Sequence, residues 1–221
     1  MRRPARAWPS RKRIIGALFL YAGAWALYSV LGHLHDRLPL PTGVDPLLAG
    51  LPYLPLNWLL SQGFLLFNVA VIAAWLAWER EHIAYYLSMA AFFIFVRTIF
   101  ICLGPVGAPA SIAPLYSSPM LSFLRGWLFF DTEQFFSGHT GIPYLYYLLS
   151  RRPPLKKACL AFSIVMGAGV LVSRNHYWID VLGAYFMTYS IYRLGRRLWA
   201  WFDSRAARVS ARDGSRRKAF S

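Results

Sequence analysis

Acidic residues are scarce: nine Asp and Glu stand against 24 Lys and Arg in 221 residues, a net charge of +15. That excess would suggest nucleic acid if the basic residues covered a globular face and came with a recognition motif. No such motif accompanies them, and the basic ends, Arg205–Lys218 included, read as solvated segments against anionic lipid headgroups. Nucleic acid is set aside as a partner on that ground. Cysteine is nearly absent too. Cys102 and Cys159 fall near opposite ends of two different apolar runs, so they cannot form a disulfide and read as core filler. Internal repeats of the kind transporters carry are missing, and so is any low-complexity tract outside the basic tail. The first apolar run lacks the cleavage pattern of a removed signal peptide and is too long for one, so it is expected to stay as a helix.

Apolar residues, by contrast, make up 57% of the chain, and they come in blocks of about 20 with little charge, the length that crosses a bilayer as a helix. These blocks are Ile14–Leu34, Leu56–Trp78, Ile83–Leu103, Lys157–Ser173 and Tyr177–Trp199, with a shorter and more polar-entered one at Phe135–Ser150. The expected fold is an all-α integral membrane bundle of six transmembrane helices. Basic residues then orient it. With the N-terminus inside, the inner segments hold six before Ile14, Arg80, four within Arg151–Lys157 and nine from Arg193 to Lys218, twenty in all. The outer segments hold Arg37, Arg125 and Arg174, while Arg97 falls within the third span. The positive-inside rule therefore places both termini in the cytoplasm. The expected organisation is a basic N-terminus over residues 1–13, a membrane domain over 14–200 and a basic tail over 201–221.

Inner connections are short, at Glu79–His82 and Arg151–Lys156. The outer connections His35–Pro55 and Gly104–Gln134 are longer and punctuated by proline, so the elaboration that tends to carry function lies on the outer side. Two of the five histidines, His139 and His176, stand at outer span ends in segments that also concentrate acidic and small polar residues. One is in Asp131-Thr-Glu-Gln-Phe-Phe-Ser-Gly-His-Thr140, where Ser137 or Thr140 is suited to cap a helix and Gly138 lets the backbone approach a ligand; amides at such a helix start attract phosphate. The other is in Ser173-Arg-Asn-His-Tyr-Trp-Ile-Asp180, where His176 and Asp180 share a face if a helix begins at the histidine.

A carboxylate at that spacing can accept the imidazole Nδ1–H, leaving Nε2 as a free nucleophile and stabilising the ring as it gains positive charge. His176 and Asp180 then act as nucleophile and orienter, and His139 protonates a leaving alkoxide and later deprotonates an acceptor. Arg174, beside His176, is placed to hold phosphate oxygens. The arrangement requires no metal, and no cofactor is expected. Two other readings stand beside it: polar groups that only solvate a helix end, and a transporter's ion-binding carboxylate, for which Asp180 and Arg97 would form an intramembrane pair.

These motifs resemble those of the type 2 phosphatidic acid phosphatase superfamily, and of its sphingomyelin synthase branch. Phe136-Ser-Gly-His-Thr140 is similar to that branch's Ser-Gly-His-Thr motif, and His176-Tyr-Trp-Ile-Asp-Val181 with Ala184-Tyr185 is similar to its His-Tyr-x-x-Asp-Val motif. Weaker similarity covers Leu38-Pro-Leu-Pro41 before Asp45, and Arg97 followed by Gly104-Pro-Val-Gly107. The resemblance implies that His139, His176 and Asp180 form a catalytic triad with a phosphorylated His176. It also implies an acidic residue shortly before the first motif, for which Glu133 has the spacing and Asp131 lies two residues earlier.

The superfamily's Lys-x6-Arg-Pro motif is absent, and its Ser-Arg-x5-His spacing is shortened to Ser173-Arg174-Asn175-His176. Arg97, Arg125 and Arg174 remain as substitute phosphate ligands, with a structural ion pair or snorkelling as the other role for Arg97. The expected activity is transfer of a phospholipid's phosphorylated headgroup to a lipid alcohol such as ceramide. A phosphatase or phospholipase C-type hydrolase, with water as acceptor, is the alternative. The expected location is a bacterial inner membrane with a periplasm-facing site, or else a Golgi or endoplasmic reticulum membrane with a lumenal one.

Overall fold

The computed structural model describes residues 8–35, 37–104, 106–107, 109 and 135–219, with side chains described as far as residue 205. Its described residues form α1 (Arg11–His35), the short α2 (Pro46–Ala49), α3 (Phe64–Trp78), α4 (Ile83–Leu103), α5 (Gly138–Leu149), α6 (Pro153–Val172) and α7 (Trp178–Ala219). A π turn at Leu59–Gly63 leads into α3, and a 3-10 turn at Arg80–His82 leads into α4.

Four helical segments are long and apolar enough to cross a membrane: Arg11–His35, Leu59–Trp78, Arg80–Leu103 and Pro153–Val172. Their outward faces carry large apolar side chains, among them Phe19 at 76% exposure and Leu66 at 62%. A soluble monomer rarely leaves that much apolar surface to water. The chain is therefore an all-helical protein suited to a lipid environment. The helix expected from Lys157 starts four residues earlier, because Pro153 and Pro154 occupy its first turn, where proline's missing N–H costs nothing. α5 and α7 differ from the four. α5 has 12 residues, and α7 has 42 and runs on through residues 201–219 without a break.

α1 packs along α4, α5 is wedged against α6 and α7, and α4 also meets α7. Small residues allow the tightest approach. A Cβ on Gly141 would lie 2.9 Å from the Phe93 ring of α4 and 2.9 Å from Thr188 Oγ1 of α7, so only glycine fits where three helices meet. At one end of the bundle Glu79 is buried and accepts hydrogen bonds from the Tyr86 hydroxyl at 2.6 Å and from the backbone N–H groups of Arg151 and Arg152. That carboxylate ties the α3–α4 turn to the α5–α6 turn. Arg13 at the start of α1 pairs with Asp203 of α7 at 2.9 Å, so the beginning of the first helix and the late part of the last share this end. The histidine segments lie at the other end, above a second apolar cluster of Leu48, Leu60, Met166, Val170, Leu171 and Val181.

Candidate active site

His176 and Asp180 meet, though not as neighbours on a helix. α7 begins at Trp178, two residues after the histidine, so the two do not share a helix face as expected: Asp180 is the third helical residue and its side chain reaches back over the helix start. Its Oδ2 accepts the Tyr177 backbone N–H at 3.0 Å and lies 3.3 Å from His176 Nδ1. This is the reciprocal half of a capping box, with an aspartate at the third position satisfying an orphan amide. Both side chains are buried, His176 at 5% and Asp180 at 4% exposure. With Nδ1–H donated to the carboxylate, Nε2 of His176 keeps its lone pair.

His139 stands opposite, its ring centroid 6.5 Å from that of His176. Its Nε2 is 3.0 Å from the carbonyl oxygen of Leu60, which lies in the π turn before α3. Phe64, at the start of α3, packs its ring 4.7 Å from the same imidazole. Each histidine thus has one nitrogen directed by an acceptor, a carboxylate for His176 and a backbone carbonyl for His139. The second acceptor has no signature in the sequence, since any residue supplies a carbonyl.

The helix that carries His139 is capped as expected: Ser137 is its N-cap, and its hydroxyl accepts the Thr140 N–H at 3.4 Å. Thr140 itself is buried and does not cap. The Ser137 N–H donates to the Asp180 carbonyl at 3.0 Å, which pins the start of α5 to the start of α7 and so fixes one histidine segment against the other. Gly138 lies against Arg97. A Cβ there would sit 3.3 Å from Arg97 Cζ and Nε, so the missing side chain makes room for a guanidinium.

Arg97 is buried at 5% exposure and does not snorkel. Its Nε donates to the Phe136 carbonyl at 3.2 Å and its Nη1 to the Tyr28 hydroxyl at 3.4 Å. It thereby holds a turn in which Phe136 takes φ 36°, a left-handed conformation that non-glycine residues adopt only when their surroundings impose it. Arg174 also has positive φ, at 54°. Its side chain is half-buried, and among the described residues its Nε makes no hydrogen bond. Arg125, Asp131 and Glu133, like the apolar stretch Met120–Phe130, lie outside the described residues.

Sequence reasoning passed over one side chain that builds this end of the molecule. Asp45 caps α2 through Oδ1, which accepts from Leu47 N–H and Leu48 N–H, while its Oδ2 accepts from Trp178 N–H at 2.9 Å. One carboxylate therefore caps α2 and the first turn of α7 together. The adjoining Tyr177 hydroxyl accepts from Gly43 N–H at 2.8 Å and donates to the Gly107 carbonyl at 3.0 Å. Asp45 before Pro46 is a legible helix start; its reach to Trp178 is not. No family model matches the chain, and a search of curated proteins finds no match either.

Proposed function

We propose that this protein is a lipid phosphotransferase working through a phosphohistidine. The observation that carries the reading is a buried His176–Asp180 pair with a second, separately anchored histidine 6.5 Å away between ring centroids. His176 Nε2 attacks the phosphorus of a phospholipid. A P–N bond forms as the P–O bond to diacylglycerol breaks, and the leaving alkoxide takes a proton from His139. Asp180 holds the rotamer and stabilises the imidazolium that develops. His139, now neutral, removes a proton from the hydroxyl of a lipid alcohol, whose oxygen attacks phosphorus and releases His176. The headgroup's phosphate has then moved from one lipid to another, and both histidines are restored. Arg174, with an enclosed and unbonded Nε, suits the phosphate oxygens. Arg97 is better suited to holding the Phe136 turn.

The same reading includes the membrane arrangement. α5 and α7 complete a six-span bundle with four clearly apolar helices, both termini in the cytoplasm and the histidines toward the outer face. At about 1.5 Å per residue, α5 is roughly 18 Å long, well short of a hydrocarbon core of about 30 Å. His139 would then lie below the outer headgroup level, within reach of a phosphate still joined to its acyl chains. The transporter reading is weaker because Asp180 already serves His176 and the Tyr177 amide, and Arg97 donates to the Phe136 carbonyl.

Reconstitution with headgroup-labelled phospholipid and ceramide tests the proposal. The label is expected in a ceramide-based product. Label found only in a water-soluble headgroup phosphate would make the protein a hydrolase, and label remaining in intact donor would remove the enzymatic reading.

A further inference from the structure

The end of the bundle away from the histidines carries a polar cavity of about 480 Å³, lined by Arg13, Arg151 and Arg196 with Tyr85 and Trp199. The two carboxylates in its wall are engaged: Asp203 by Arg13 at 2.9 Å, and Glu81 by His82 at 3.8 Å. Arg151 and Arg196 have exposed side chains and, among the described residues, no carboxylate partner. Their charge faces an open polar space rather than a protein anion.

Trp199 is also a wall of a neighbouring groove of about 830 Å³ between α1, α4 and α7. That groove is apolar, lined by Phe19, Leu27, Phe92, Phe95 and Leu198 among others, and it opens on the outer surface of the bundle. It starts where the polar cavity stops. Along α1 it extends from Phe19 to Leu27, about 12 Å at 1.5 Å per residue. A bare anion would use only the first space, and an acyl chain alone only the second. A molecule anionic at one end and apolar over the next stretch fills both.

We propose that this is a binding site for an anionic phospholipid of the inner leaflet, its phosphate between Arg151 and Arg196 and one acyl chain in the α1–α4–α7 groove. Such a lipid ties α1, α4 and α7 together at the end opposite the reaction site. Anionic lipid and an arginine at a membrane surface attract each other in the same way elsewhere, but here aromatic walls and a groove add chain recognition. The site does not depend on the chemistry proposed for His176, because its readout is binding.

The test is native mass spectrometry of the full-length protein in detergent, titrated with phosphatidylglycerol and with phosphatidylcholine of identical chains. Inorganic phosphate serves as the headgroup-only probe. Saturable, preferential binding of phosphatidylglycerol is expected, with no displacement by millimolar-range phosphate. The double variant Arg151→Gln, Arg196→Gln should weaken that binding roughly 30-fold, from the attraction ordinarily contributed by two surface arginines, and leave phosphatidylcholine unchanged. Gly23→Leu should weaken it as well, since a Cβ at Gly23 meets nothing within 4 Å and the new side chain enters the groove without a clash. Gly16→Leu is the control: its Cβ is equally unobstructed but lies outside the groove. Equal affinity for the two lipids, displacement by phosphate, or indifference to either groove or arginine variant would overturn the proposal.

Discussion

At the scale of single residues, the candidate site depends on which nitrogen of each imidazole is already occupied. Asp180 takes Nδ1 of His176 and Leu60 takes Nε2 of His139. The two acceptors are not equivalent. A carboxylate stabilises an imidazolium far more than a carbonyl does, so His176 is the ring suited to carry positive charge while bonded to phosphorus, and His139 the ring suited to exchange a proton. His176→Ala is expected to abolish turnover altogether. Asp180→Asn should preserve the fold, since an amide oxygen can still accept the Tyr177 N–H, yet lower the rate about 10⁴-fold if the orienting role of a triad carboxylate transfers. Activity assays on the purified variants decide it; near-normal rates in either would remove the assignment. The pairing was legible in the sequence from spacing alone, although for a reason that needed correction. A four-residue separation brings side chains together on a helix, and it also does so across a capping turn, which is what happens here. The Leu60 carbonyl was not legible, because a backbone acceptor carries no residue type with it.

At the scale of elements, two carboxylates, the buried Glu79 and the half-buried Asp45, do similar work at opposite ends of the bundle, and they separate site from scaffold. Glu79 joins two turns away from the histidines, and Asp45 joins α2 to the start of α7 beside them. Glu79→Gln removes charge from hydrogen bonds that each contribute about 1.5–3 kcal/mol when one partner is ionised. It should lower the melting temperature in detergent and leave KM and kcat of the folded protein nearly unchanged. Asp45→Ala removes two caps, of about 1 kcal/mol each, one on α2 and one on α7. Because it frees the first turn of α7, where Asp180 reaches back to His176, it should lower kcat more than it lowers stability. A variant series in which activity simply tracks melting temperature for both residues would refute this division. Asp45 could be read as a helix start from its own neighbours, but not as a partner of Trp178. The two are 133 positions apart, and nothing local to either announces the contact. The four apolar helices were legible for the opposite reason: each declares itself within its own run. α5 is set apart by its length of 12 residues, and α7 by the basic residues that fill its second half.

At the scale of the whole molecule, the Arg13–Asp203 pair and the Glu79 clamp stand at one end, with the Asp45–Trp178 and Ser137–Asp180 bonds at the other. These contacts sort the chain's segments into two groups without reference to a membrane. Independently, the basic residues sort it the same way: among those whose side chains are described, twelve fall in the segments grouped with Arg13 and Glu79, and two, Arg37 and Arg174, in those grouped with the histidines. Two unrelated criteria, packing and charge, therefore divide the described segments in the same way. That agreement makes sidedness a sharp test. Cys102 is exposed, so the background is Cys102→Ser, with Cys159 left buried. Val44, 94% exposed in the segment before Asp45, and Arg205, past the Arg13–Asp203 pair on α7, are each replaced by cysteine. In sealed, right-side-out vesicles a membrane-impermeant maleimide should label Val44→Cys and spare Arg205→Cys until the membrane is opened. The positive-inside rule requires that direction. Labelling of both from one side would mean that α7 does not cross, and the reverse pattern would put the histidines in the cytoplasm, where they would meet donor lipid from the inner leaflet instead.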